Sequence, residues 1–97
     1  MQFLVLAYDA RDKDAPKRRM DTRQAHLDTI ARYKASGNMR IGAAIMDEAG
    51  KMIGSCIIAD FPSRQELSAW LAEEPYVQHK VWEEIQIQDC KIAPSFA

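Results

Sequence analysis

The sequence predicts a small α+β domain whose single antiparallel sheet carries its helices on one face. Three observations lead to this class. Strand-length apolar runs and amphipathic helical segments follow one another in the order βαββαβ; the middle two runs are joined by residues that suit a hairpin; and no linker, repeat or low-complexity stretch divides the chain. Residues 1–97 are accordingly read as one domain.

The run Gln2 to Tyr8 is apolar and is broken at Asp9, which reads as a strand covered on both faces. From Asp14 to Met20 the chain is charged and contains Pro16. Asp21, followed three residues later by Gln24, offers a capping oxygen, so the main helix is expected to start near Asp21. Leu27, Ile30 and Ala31 recur at helical spacing as its buried stripe, and Gly37-Asn38 supplies a left-handed stop.

Arg40 to Met46 and Met52 to Phe61 are Ile-rich runs separated by Asp47-Glu48-Ala49-Gly50-Lys51, an antiparallel pair with a Gly-containing turn. Pro62 ends the second run. Ser63-Arg64-Gln65-Glu66 then forms a capping box for a helix whose apolar face is Leu67, Trp70 and Leu71, closed by Pro75. After a connector from Tyr76 to Lys80, Trp82 to Asp89 alternates Ile85 and Ile87 against Gln86 and Gln88 as the last strand.

Two helices cover one face of such a sheet, yet the first and third strands are apolar on both alternations: Phe3, Val5 and Ala7 against Leu4 and Leu6, and Ile53 and Ile57 against Cys56 and Ile58. A second copy is the simplest cover for the other face. The expectation is a homodimer of ferredoxin-like units packed sheet to sheet as a dimeric α/β barrel.

Composition narrows the partners. With 13 Lys and Arg against 14 Asp and Glu the net charge is −1, so no overall field attracts a polyanion, and nucleic acid is not an expected partner. The apolar N-terminal run lacks a basic leader and is too short for a membrane span, which suggests a cytoplasmic protein without membrane contact. Cys56 and Cys90 form neither a CxxC pair nor a Cys/His cluster; reduced thiols are expected, and no metal or other cofactor. A Gly-rich phosphate loop and a Ser/His/Asp order are both missing.

The remaining chemistry centres on His26. It lies about 100° around the helix from Leu27, at the edge of the expected stripe, with Arg19, Arg23, Ile30 and Tyr33 on its side. Such an imidazole takes up a proton near neutral pH while the guanidinium groups hold an anionic substrate. The plain alternative is a surface histidine among surface arginines, and His79 beside Lys80 fits that description better still. An orienting carboxylate would come from Glu73-Glu74, before the turn at Pro75-Tyr76, or from Asp60 or Asp9 at strand ends. Gly54-Ser55 inside a strand is unusual unless backbone or ligand approaches closely; either Ser55 offers its hydroxyl to a pocket, or the pair is a small-residue site for helix packing. Trp70, Trp82 and Tyr76 suit a core or an interface better than a stacking platform for bases.

Arg18-Arg19-Met20-Asp21-Thr22-Arg23-Gln24-Ala25-His26-Leu27, the Gly54-Ser55 strand ending in Phe61, and Ala69-Trp70 leading to Glu74-Pro75-Tyr76-Val77 together resemble the YCII-related family over nearly the whole chain. The resemblance implies a dimeric α/β barrel akin to muconolactone isomerase, with a first-helix histidine and an aspartate before a Pro-Tyr or Pro-Phe step as the active pair. Carried over, the pair is His26 and Glu74, here with a side chain one methylene longer, and Gly42-Ala43-Ala44 replaces the family's Gly-Pro. Some members are dehydrochlorinases of hydroxyhydroquinones. The expected function is thus a cofactor-independent lyase or isomerase with Arg19, Arg23, Ser55 and Tyr76 around a small cyclic or aromatic substrate. A non-catalytic ligand-binding or regulatory module using the same groove is the competing class.

Overall fold

The computed structural model describes all of residues 1–97. Its elements are β1 (Gln2–Asp9), α1 (Ala15–Ala35), β2 (Met39–Met46), β3 (Met52–Asp60), α2 (Arg64–Glu73), α3 (Pro75–Gln78) and β4 (Trp82–Cys90), followed by a short 3-10 turn at Pro94–Phe96. The strands form one antiparallel sheet in the order β2-β3-β1-β4, the ferredoxin-like arrangement. No helix is long and apolar enough to cross a membrane.

Register assigns the two faces. Phe3 pairs with Ala59, Val5 with Ile57 and Ala7 with Ser55, and these residues are buried beneath the helices. Leu4 opposite Ile58 and Leu6 opposite Cys56 point the other way and are only half-buried, while Ile41, paired with Ile58, is largely exposed. On β4 the helix-side positions are Ile87 and Ile85, whereas Gln88 and Gln86 share the second face with Leu4 and Leu6. The core joins Phe3, Val5 and Ile57 to Phe61, Leu67, Trp70, Tyr76 and Trp82. The two tryptophans and Tyr76 therefore serve the core.

The first helix departs from expectation. It starts at Ala15, six residues before Asp21, because Pro16 fits the first turn, where its missing N–H is no loss. Its buried line is Ala15, Arg19, Thr22 and His26, continued by half-buried Ile30 and Tyr33; Leu27 and Ala31 are exposed. Polar side chains occupy the inward face, and partners on the sheet and on α3 make that possible. Pro75, expected to close α2, also opens the one-turn helix α3, and the connector after it has room for such a turn.

The hairpin, the stop after α1 and the cap of α2 form as the residues suggest. Gly50 has φ +82 and Gly37 φ +86, the left-handed region that a side chain disfavours. Ser63 Oγ accepts the Glu66 N–H at 3.2 Å. Gly54 is required by a close approach: a Cβ there would lie 2.5 Å from the Ala7 carbonyl oxygen and 3.3 Å from Ile45 Cδ1. Since the nearer atom is backbone in a central strand, Gly54→Ala is expected to lower stability by roughly 1–3 kcal/mol. An unchanged urea midpoint would show that β1 and β3 separate without cost.

The loop before α1 is pinned by charge. Arg18 donates to both oxygens of Asp12 at 2.7 and 2.8 Å and to the Lys80 carbonyl at 3.3 Å. The Arg18 hydrogen bonds hold the exposed Asp12 carboxyl down at about 2, against an ordinary 3.8. A depressed folded value means that this support is complete above 3.8 and disappears as pH falls through about 2. An NMR titration of Asp12 is expected to show that low midpoint, and Arg18→Gln to return it toward 3.8.

Candidate active site

The backbone at Glu74 explains how a carboxylate reaches the interior. A residue before proline is pushed out of the helical region, and Glu74 is extended at φ −63, ψ 122, ending α2 and capping α3. The step separates two neighbouring glutamates. Glu73 stays in solvent, accepting from Arg32 and from the Tyr33 hydroxyl, while Glu74 is completely buried. Its Oε1 accepts the Tyr76 N–H at 3.2 Å and faces His26 Nδ1 in a short hydrogen bond.

That contact sets the imidazole tautomer. Oε1 is the acceptor toward Tyr76 and also toward the ring, so a hydrogen sits on Nδ1, and Nε2 has no protein partner. The ring is held by stacking as well. Tyr76 lies parallel to it, with centroids 4.0 Å apart and planes 8° apart, and Trp82 meets it edge-on at 5.8 Å. Arg19 covers the Tyr76 ring at 4.9 Å from its centroid. Burial raises the Tyr76 hydroxyl above its ordinary range, so it remains protonated, and its oxygen has no protein partner.

Beside this stack lies a cavity of about 470 Å³ between α1 and the β2 side of the sheet. It exists because the helix-facing positions of β2 are small: Gly42 opposite Ile57, and Ala44 opposite Ser55. His26, Arg19, Arg23, Ser55 and Tyr76 all line it, with Leu27, Ile30, Met39 and Ile57 as apolar wall. A volume of this size suits a single-ring compound. Lys34 and Arg40, which the sequence did not single out, also reach the wall.

The structure thus brings His26, Glu74, Arg23, Ser55 and Tyr76 into one place, and His26 is more deeply set than a stripe-edge position implied. Of the competing carboxylates, Asp9 is held by Arg19, and Asp60 by Gln2, Arg40 and the N-terminal amine; neither meets His26. His79 is exposed.

Arg19 differs from the expectation of a substrate-binding cation. Its Nη1 donates to both Asp9 oxygens at 2.8 and 3.0 Å, and its Nη2 to the Gly54 carbonyl at 3.1 Å and Ser55 Oγ at 3.2 Å. Four terminal hydrogens have four protein partners, and Nε is buried. The fold thus engages the terminal hydrogens, while the Nε hydrogen has no protein partner. Arg23 meets only the Met52 sulfur, at 3.0 Å. Trp82, expected in a core or an interface, also donates its Nε1 to Ser55 Oγ at 3.1 Å, a contact that depends on sheet register and leaves no mark in local sequence.

Fold and site together define a small ferredoxin-like α+β protein with a helix-borne His–carboxylate pair beside a cavity. A sequence model of the YCII-related domain matches residues 1–91, and the chain belongs to that family. It is 30% identical over 97 residues to Protein YciI of Escherichia coli and of Shigella flexneri, covering 94% of this chain and 97% of each relative. Among solved structures it is similar to 5-chloro-2-hydroxyhydroquinone dehydrochlorinase from Burkholderia phenoliruptrix in complex with 2,5-dihydroxybenzoquinone, with TM-score 0.82, 22% identity and 98% of both chains covered. Rv0793 from Mycobacterium tuberculosis is more distant, with TM-score 0.55 and 12% identity over 96% of this chain and 97% of that one.

Proposed function

We propose that this protein is a cofactor-independent lyase or isomerase of a small cyclic or phenolic compound. One observation carries the reading: a wholly buried carboxylate holds Nδ1 of His26, leaving Nε2 unpaired on a ring that lines the cavity. In this role His26 Nε2 removes a proton from the substrate, Glu74 keeps the ring in the competent tautomer, and Arg23 steadies the negative charge that develops on oxygen. Arg19, in the cavity wall, positions Ser55 and Tyr76.

Dehydrochlorination, the activity of the dehydrochlorinase that this chain resembles, is the candidate reaction. Its balance needs no oxidant: a proton passes to Nε2, the freed electron pair forms a new π bond, and chloride departs with the pair of the C–Cl bond. An isomerase would return the proton to another atom. The working form is taken to be a cytoplasmic homodimer whose second sheet faces, with Leu4, Leu6, Ile41 and Ile58, pack together.

The test is a turnover screen of hydroxylated and chlorinated aromatics and of lactones, run on wild type and His26→Ala. Turnover lost in the variant supports the reading. Turnover that survives removes His26 from the mechanism, and binding without turnover anywhere in the screen favours a ligand-binding module.

A further inference from the structure

We infer that Lys34 and Arg40 form a distal anion subsite at the far end of the cavity, which selects cyclic substrates that carry a carboxylate on a short side arm. This rests on the proposed use of the cavity for a small cyclic compound and names the substrate class.

The lysines and arginines of α1 divide into two sets. Lys17, Arg18, Arg19 and Arg32 are each paired with a carboxylate, that of Asp21, Asp12, Asp9 and Glu73 respectively. Arg23 and Lys34 have no carboxylate partner, and both line the cavity, whose wall includes no Asp or Glu. Arg32 and Lys34 suit the dipole of the last helical turn equally, so that role does not account for the difference between them.

Spacing along the helix sets what the subsite can reach. His26, Ile30 and Lys34 follow at intervals of four and form one ridge of α1 along the cavity. From His26 to Lys34 the helix rises about 12 Å, at 1.5 Å per residue. Helical side chains lean toward the N-terminus, so the Lys34 stem shortens that span. Half-buried Ile30 is the apolar spacer between base and cation. A ring at His26, a hydrocarbon arm over Ile30 and an anion at Lys34 match this order of surfaces.

Arg40 meets the same end from the sheet. Pairing of β2 with β3 passes from Met39 opposite Ala59 to Ile41 opposite Ile58, so Arg40 is the extra residue of a bulge, a device that re-aims side chains. Its Nη1 donates to Asp60 at 3.0 Å, and the other guanidinium hydrogens have no protein partner. Asp60 itself does not line the cavity. A carboxylate at this end therefore meets one cation from the helix and one from the sheet, and its two oxygens suit the free guanidinium edge.

Calorimetric titration with two probes of the same ring tests the assignment: 3-(2,5-dihydroxyphenyl)propanoate, and ethylhydroquinone, which lacks only the carboxylate. Wild type is expected to favour the acid by about five- to tenfold, less than a buried pair would give because both cations are exposed. Lys34→Arg should keep the preference. The double variant Lys34→Met/Arg40→Met keeps apolar stems and should bring the ratio close to one. Arg32→Met removes the same charge from α1 outside the cavity and should leave the ratio unchanged. All three positions are exposed, so the variants are expected to fold. Equal wild-type affinities, no binding of the acid, a ratio that survives in the double variant, or one that falls as far in Arg32→Met overturns the inference. Binding is read without turnover and with His26 and Glu74 in place, so failure of the proposed reaction and failure of this subsite are seen separately.

Discussion

His26→Ala is expected to lower kcat by about 10²- to 10⁴-fold, the range for removing a general base. Glu74→Gln should cost less, on the order of tenfold. The amide oxygen can still accept from Nδ1 and from the Tyr76 N–H, so the tautomer survives, but the charge that stabilises the protonated ring is gone. Because the alanine variant also strands a buried carboxylate, His26→Asn is the cleaner replacement: its amide can donate to Glu74 and has no basic nitrogen. Its kcat should fall as far as that of His26→Ala, while exposed His79→Ala should change nothing. Measuring kcat on a substrate found by the screen decides the order. A Glu74→Gln loss exceeding that of His26→Asn would mean that the carboxylate, not the ring, is the base.

Different parts of this arrangement were legible to different degrees. Strand and turn positions follow from local chemistry, as Gly50 at its positive φ and Ser63 over Glu66 demonstrate. Glu74 was readable in part: the pair Glu73-Glu74 before proline stood out beside Asp60 and Asp9, but only the extended backbone before Pro75 turns the second glutamate inward. The face of α1 was not. Periodicity looks for apolar side chains, but the buried line is Arg19, Thr22 and His26, held by groups 10 to 48 residues away. Those partners meet only after β1, β3 and α3 have been set side by side, so apart from Asp9 and Arg19 no short window along the chain contains both halves of a contact. Arg19 was read only as a ligand cation because its links to Asp9, Gly54 and Ser55 leave no trace in the local sequence.

Arg19→Met is expected to cost roughly 3 kcal/mol, the low end of what one-sided removal of a buried ion pair costs, because Asp9 keeps some access to solvent. The pH dependence should identify the cause. Burial raises the folded pKa of Asp9 above its ordinary value even though Arg19 pulls it down. A raised folded value means that native protein holds this proton more tightly, so the contribution is largest below 3.8 and declines as pH rises through the folded value. Without Arg19 the downward pull is lost and the decline steepens. Denaturation curves should therefore show Arg19→Met much closer to wild type at pH 4 than at pH 7. Adding Asp9→Asn should recover part of the neutral-pH loss, since an amide leaves no buried charge unpaired, while the Gly54 carbonyl and Ser55 remain without their donor. A penalty independent of pH would assign Arg19 to packing over the Tyr76 ring rather than to its pairing with Asp9.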